Sequence, residues 1–161
     1  MLKRYFAPCV DGFGRVPISP KLEMLVKSLK KGDSILTPFG SATIKCVLKS
    51  KVHQGFLEMT EFNKMLIIPN HPIQIYGEWT LPKEVKEIKF LQCQSLYSFI
   101  LDKHHIMTIN GNNIITPGYA FNKDSNKSLS ETQKFIDELM CHPGWKNGLI
   151  EITKYYFFIF S

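Results

Sequence analysis

Between residues 34 and 110 the chain reads as one short β-prone run after another, separated by turn residues. The clearest run is 43–50. There Ile44, Cys46, Leu48 and Ser50 alternate with Thr43, Lys45, Val47 and Lys49, which is the period of a half-buried strand. Before it, 34–37 is a short strand and Pro38-Phe39-Gly40-Ser41 is a turn. The runs 56–59, 65–68, 73–76, 85–93, 95–101 and 105–110 continue the pattern. Asn110-Gly111 is a hairpin turn, because both residues tolerate positive φ. So many short strands at this spacing predict an all-β domain.

After residue 121 the character changes. Residues 122–127 are polar, and Ser128-Leu129-Ser130-Glu131 has the form of a capping box, in which the hydroxyl and the carboxylate satisfy orphan amides of a first turn. Phe135, Ile136, Leu139 and Met140 follow as an apolar stripe at helical spacing, and His142-Pro143-Gly144 ends it. A helix over about 129–141 is predicted, then a strand over about 148–159 that takes in the β-prone run 155–160.

Composition bounds the partners. A chain of 161 residues is about one domain, and 44% apolar with 21% charged residues excludes a disordered or collagen-like chain. The longest apolar run, 155–160, falls well short of the roughly 18 residues of a membrane helix, so no membrane is expected. Met1-Leu2-Lys3-Arg4 leads into no apolar segment, so an intracellular, cytoplasmic location is expected. Lysine and arginine exceed acids by six, but the lysines are spread and form no arginine-rich stripe. That is the pattern of a solvated surface, and no nucleic acid is expected. Cys9, Cys46, Cys93 and Cys141 form no CxxC or CxxH pair, so neither a zinc site nor a cofactor is expected, and reduced thiols are.

Polar residues at four places along the chain could carry chemistry. His71, in Ile68-Pro69-Asn70-His71-Pro72, is either a satisfied core histidine or a poised proton donor. Of His104-His105, at a strand start, the alternation turns one inward. Cys141-His142 follows the helix as packing plus cap. Cys9, in Pro8-Cys9-Val10-Asp11-Gly12, is by default a buried inert thiol.

The order of these segments changes that default. Cys9, then Leu29, Gly32, Asp33 and Leu36, then the histidine and proline of Ile68-Pro69-Asn70-His71-Pro72, then Tyr97-Ser98-Phe99-Ile100-Leu101, His105 and Ile109-Asn110-Gly111 resemble the blocks of a Hint domain, the module of hedgehog proteins and inteins. Trp79, Pro82, Thr116-Pro117-Gly118-Tyr119 and Trp145-Lys146-Asn147-Gly148-Leu149-Ile150 are similar to Vint, the Hint variant joined to von Willebrand factor A domains. The resemblance implies a horseshoe-like all-β fold of pseudo-two-fold character. Residues 1–8 would be a flanking precursor segment, 9–122 the Hint core, and 123–161 a C-terminal extension of helix and strand.

The resemblance also implies autoprocessing in a single turnover. Cys9 is the nucleophile on the Pro8 carbonyl, with a lowered thiol pKa; His71 is the proton donor to the scissile amide, and His105 is a candidate second-block histidine. Water or a thiol opens the resulting thioester. The partner is the chain's own flanking polypeptide, of von Willebrand factor A or ubiquitin-system type. Two block positions are altered. Ile68 stands where the family has threonine, and Tyr119 where Vint has histidine. Ile68 offers no hydroxyl to the scissile amide, and the ring of Pro8 crowds the attack, so cleavage is expected to be slow. Ile114-Ile115-Thr116 stands where splicing needs His-Asn, so no splicing is expected. The alternative is a degenerate Hint domain kept as a protein-interaction module.

Overall fold

A computed structural model describes residues 9–119 and 126–152. The order is β1 (Arg15–Ser19), β2 (Leu22–Leu25), β3 (Ser34–Thr37), β4 (Gly40–Lys51), β5 (Phe56–Phe62), β6 (Met65–Ile67), β7 (Ile73–Ile75), β8 (Glu78–Thr80), β9 (Lys89–Gln92), β10 (Ser95–Leu101), β11 (Ile106–Ile109), β12 (Asn112–Ile115), α1 (Asn126–Met140) and β13 (Leu149–Glu151). Among the described residues the domain is all-β with one α-helix. β4 lies between β10 and β13 and also pairs with β3. β11-β12-β7-β8 and β6-β5-β9 form two further sheets, and β1-β2 is a separate hairpin.

Two apolar cores lie on opposite faces of the long β4/β10 pair. On β10, Tyr97, Phe99 and Leu101 enter the first core. Leu96 and Ile100 enter the second. With both faces covered, nearly every residue of β10 is buried. The regular alternation expected for 43–50 does not hold throughout. Ile100 faces Cys46 but Leu101 faces Ile44, so the extra residue Lys45 bulges. The bulge flips the faces. Ala42, Ile44 and Val47 therefore share the first core, whereas Cys46 and Leu48 enter the second.

The second core receives the helix. Phe135 and Leu139, one turn apart, are both buried there. Met140 is half exposed, so the stripe is narrower than the sequence suggested. The helix begins at Asn126, which places Ser128 inside its first turn rather than ahead of it. Asp124, Ser125 and Asn126 are equally capable capping residues, which is why the start was misplaced. The final strand was predicted to reach 159. β13 is described only to Glu151, and residues 153–161 lie outside the described residues.

Two further expectations fail. Most of 85–93 is not strand: a 3-10 turn at Pro82–Glu84 precedes it and only Lys89–Gln92 pairs, with β5. Val85 and Ile88 are exposed, so the apolar run there marks surface rather than core. His104 and His105 both have positive φ and lie in the turn before β11, so strand alternation does not apply and neither is fully buried. The turn at Asn110-Gly111 joins β11 to β12 as expected, with φ of 49° and 79°.

Candidate functional site

Cys9 enters the molecule between two strands. Val10 bridges Tyr97 of β10 on one side and Ile67 of β6 on the other. Val10 N–H donates to the Tyr97 carbonyl at 3.0 Å, and Tyr97 N–H returns the bond at 2.8 Å. Asp11 N–H donates to Leu66 O, and Ile68 N–H donates to Cys9 O at 3.3 Å. Strand alternation then sends Val10 into the first core and Cys9 into the second. The Asp11 carboxylate locks the corner by accepting from Leu66 N–H at 3.2 Å and Phe13 N–H at 3.4 Å. Gly12 follows because the chain passes tight against Lys27 and Tyr97: a Cβ there would stand 2.9 Å from each.

His71 is brought to Cys9 by the loop between β6 and β7. Its N–H donates to Ile68 O, and its ring is 1% exposed. Nε2 lies 2.9 Å from the Ile115 carbonyl at the end of β12. Nδ1 lies 3.4 Å from the Cys9 carbonyl. Burial holds His71 down to about 4, against the opposing pull of the two carbonyls, so the ring is neutral near pH 7. A neutral ring has one N–H. The shorter contact assigns it to Nε2, which donates to Ile115 O, so the 3.4 Å approach of Nδ1 to the Cys9 carbonyl sets acceptor against acceptor and is not a hydrogen bond in that tautomer.

The thiols run against expectation. The Cys9 pKa is not lowered: burial pushes it well above the ordinary range, and Cys93 nearby adds to that. Cys93 itself is pushed up to about 12 by burial and by the Asp11 charge. Cys46 is raised to about 11 by burial, against the pull of Lys31. Cys141, expected to pack, is exposed, while His142 caps locally by accepting from Gly144 N–H. Among the described residues no group of histidines, cysteines and carboxylates could hold a metal.

The remaining candidates surround this centre unevenly. Ile68 is buried in the same core as Cys9, and its backbone touches both Cys9 and His71. His105 holds the far side. Its carbonyl accepts from Thr116 N–H at 2.9 Å, one residue from the carbonyl that meets His71. Its ring packs over Gly118, where a Cβ would stand 2.8 Å from Nδ1, and burial lowers its pKa. The Tyr119 hydroxyl is engaged elsewhere, accepting from Trp79 Nε1–H at 2.8 Å. Pro8 lies outside the described residues.

Sequence reasoning placed Ser98 in a Hint block but gave it no role. It neighbours Tyr97, the bridge partner of Val10, and stands on the β10 face that Leu96 and Ile100 share with Cys9. Its buried hydroxyl has no partner among the described residues, nor has that of Thr116. A serine inside an otherwise apolar strand was the available signal.

Solved structures match this arrangement at low identity. An intein-like domain from Clostridium thermocellum has a TM-score of 0.53 at 11% identity, covering 69% of this chain and 99% of that one. The gp41-1 intein has a TM-score of 0.52 at 16% identity, covering 68% and 99%. The Ssp DnaB mini-intein variant M86 also reaches 0.52, at 10% identity, covering 70% and 95%. No curated protein sequence matches the chain. The Vint family model, described as a Hint domain, matches residues 8–153. With the intein-like fold, that match over most of its length places the chain in the Vint family of Hint domains.

Proposed function

We propose that this domain processes its own precursor by an N-to-S acyl shift at Cys9, cleaving the Pro8-Cys9 bond in cis. The Hint family is one of autoprocessing and splicing domains. The observation that carries the reading is the neutral His71 ring spanning from the Ile115 carbonyl to the Cys9 backbone. Sγ attacks the Pro8 carbonyl carbon, a C–S bond forms, and the C–N bond to Cys9 breaks. The thiol proton passes to His71 Nδ1 and from there to the departing nitrogen of Cys9. Water or a thiol then opens the thioester and frees the flanking polypeptide. His105 acts through its backbone, fixing the residue beside the Ile115 carbonyl that holds His71.

Cleavage is slow in this reading. The Cys9 thiol is protonated at neutral pH, and Ile68 brings no hydrogen-bond donor to the core that holds Cys9. Those same two observations favour the second reading, a degenerate Hint module kept for protein interaction. Mass spectrometry of the purified chain with and without dithiothreitol separates the two. Thiol-dependent loss of residues 1–8, abolished in Cys9→Ala, supports the acyl shift. An intact chain after prolonged incubation with thiol overturns it.

A further inference from the structure

We propose that the apolar run 155–160 of this chain docks along two adjoining clefts that start where β13 ends. The first cleft, of about 590 Å³, is lined by Phe56, Ile88, Phe90, Pro69, Asn70 and Lys83 among others. Phe56 and Phe90 stack at 5.6 Å, yet Phe90 is 70% exposed. Such an aromatic patch is costly to leave to water and marks a binding surface. The second cleft, of about 960 Å³, shares Lys51, Val52 and Gln54 with the first and so adjoins it.

Three observations select the occupant. Ile152, the last described residue, lines the second cleft. Its N–H donates to Lys49 O at 2.8 Å, continuing the parallel register of β13 on β4 toward the shared wall at Lys51 and Val52. The chain beyond carries Tyr155-Tyr156-Phe157-Phe158-Ile159-Phe160, six apolar residues in succession. Residues 153–160 can reach about 26 Å when extended. The opposite terminus is a poorer fit, because no residue from Cys9 to Gly14 lines either cleft. The wall of the first cleft includes Ile68, Pro69 and Asn70, so the docked tail lies against the back of the loop that carries His71. The docking itself does not depend on self-cleavage.

The test uses the full chain with p-benzoylphenylalanine in place of Phe157, irradiated and mapped by mass spectrometry. The expected product is an intramolecular crosslink to peptides containing Phe56 or residues 83–90. Phe90→Asp, at an exposed position that the fold tolerates, lowers the crosslink yield about ten-fold, because an apolar contact cannot take in a carboxylate cheaply. Crosslinks to other segments or between two chains would overturn the proposal. So would a yield that Phe90→Asp leaves unchanged. A label in place of Phe6 that reaches these peptides, while the label at 157 does not, would assign the clefts to the N-terminal segment instead.

Discussion

His71 should make the fold sensitive to mild acid, by an amount that can be worked out. Its folded pKa is held to about 4 by burial, against 6.5 for the ordinary side chain. As pH falls from 6.5, the unfolded chain takes up a proton that the folded chain refuses. The stability contributed by neutral His71 is thus whole above 6.5 and drains away as pH falls to about 4. Linkage puts the loss at about 2 kcal/mol between pH 7 and pH 5, and at about 3 kcal/mol in full. Two neighbours also titrate. The raised Asp11 carboxyl works in the opposite sense, and His105, lowered like His71, works in the same sense. Both persist in His71→Gln, whose amide can still donate to Ile115 O, so they cancel in the difference. Urea unfolding of Cys9→Ala and Cys9→Ala/His71→Gln at pH 7, 6 and 5 gives that difference free of cleavage. The His71 protein should lose about 2 kcal/mol more than the glutamine variant over that range. Parallel losses in the two proteins would refute the neutral, buried ring.

Restoring the family's threonine, Ile68→Thr, should speed loss of residues 1–8 in dithiothreitol, since one well-placed donor is worth about 3 kcal/mol at a developing oxyanion. The same hydroxyl enters an apolar core, so a stability loss of about 1–3 kcal/mol should accompany it; a stable variant that cleaves no faster would show that Ile68 is not the missing contact. Phe135→Ala should cost about 3–5 kcal/mol in urea unfolding, because the ring is buried in the core that holds Cys9; a loss below about 1 kcal/mol would mean that α1 does not seal that core. The cleavage rate should be flat between pH 6 and pH 8, where His71 is neutral and the Cys9 thiol protonated throughout; a steep rise with pH would show that free thiolate attacks.

Much of the β architecture was legible because its signals are local. The Asn110-Gly111 turn and the strands on either side of Pro38 announce themselves through residues that only certain backbone shapes accept. β1, β2, β8 and β12 were not picked out; β2 and β8 are short, and neither has a buried residue to set a period. The bulge at Lys45 was invisible because it depends on which residue of β10 lies opposite. At the site, the resemblance to the Hint blocks brought Cys9 and His71 into one argument, and the fold sets them within one backbone contact. The thiol went the other way. A lowered pKa was expected from the chemistry, but a pKa follows from what surrounds the sulfur, and Cys9, Cys46 and Cys93 share one apolar core. The role of the Ile115 carbonyl could not be read at all, since a backbone oxygen leaves no mark on its own side chain.

If the proposed acyl shift takes place, the dry surroundings of Cys9 bear on the form of the chemistry as well as its pace. Burial penalises the thiolate and the imidazolium alike, so neither ion can accumulate. The overall shift nevertheless creates no net charge: a thiol and an amide become a thioester and an amine. A site of this kind hinders ions along the way while leaving reactant and product untaxed. For the proposed shift, the least costly route is one that moves a proton from Sγ through a single ring nitrogen to the amide nitrogen while the C–S bond forms. In the proposed shift Nε2 stays tied to Ile115 O while Nδ1, 3.4 Å from the Cys9 carbonyl, takes and returns the proton. The Ile115 contact, which looks like the satisfaction of a core histidine, also works against the lowering of the ring's basicity by burial. The bland and the catalytic readings of His71 therefore describe the same hydrogen bond. The peptide on the far side of Cys9 decides between them.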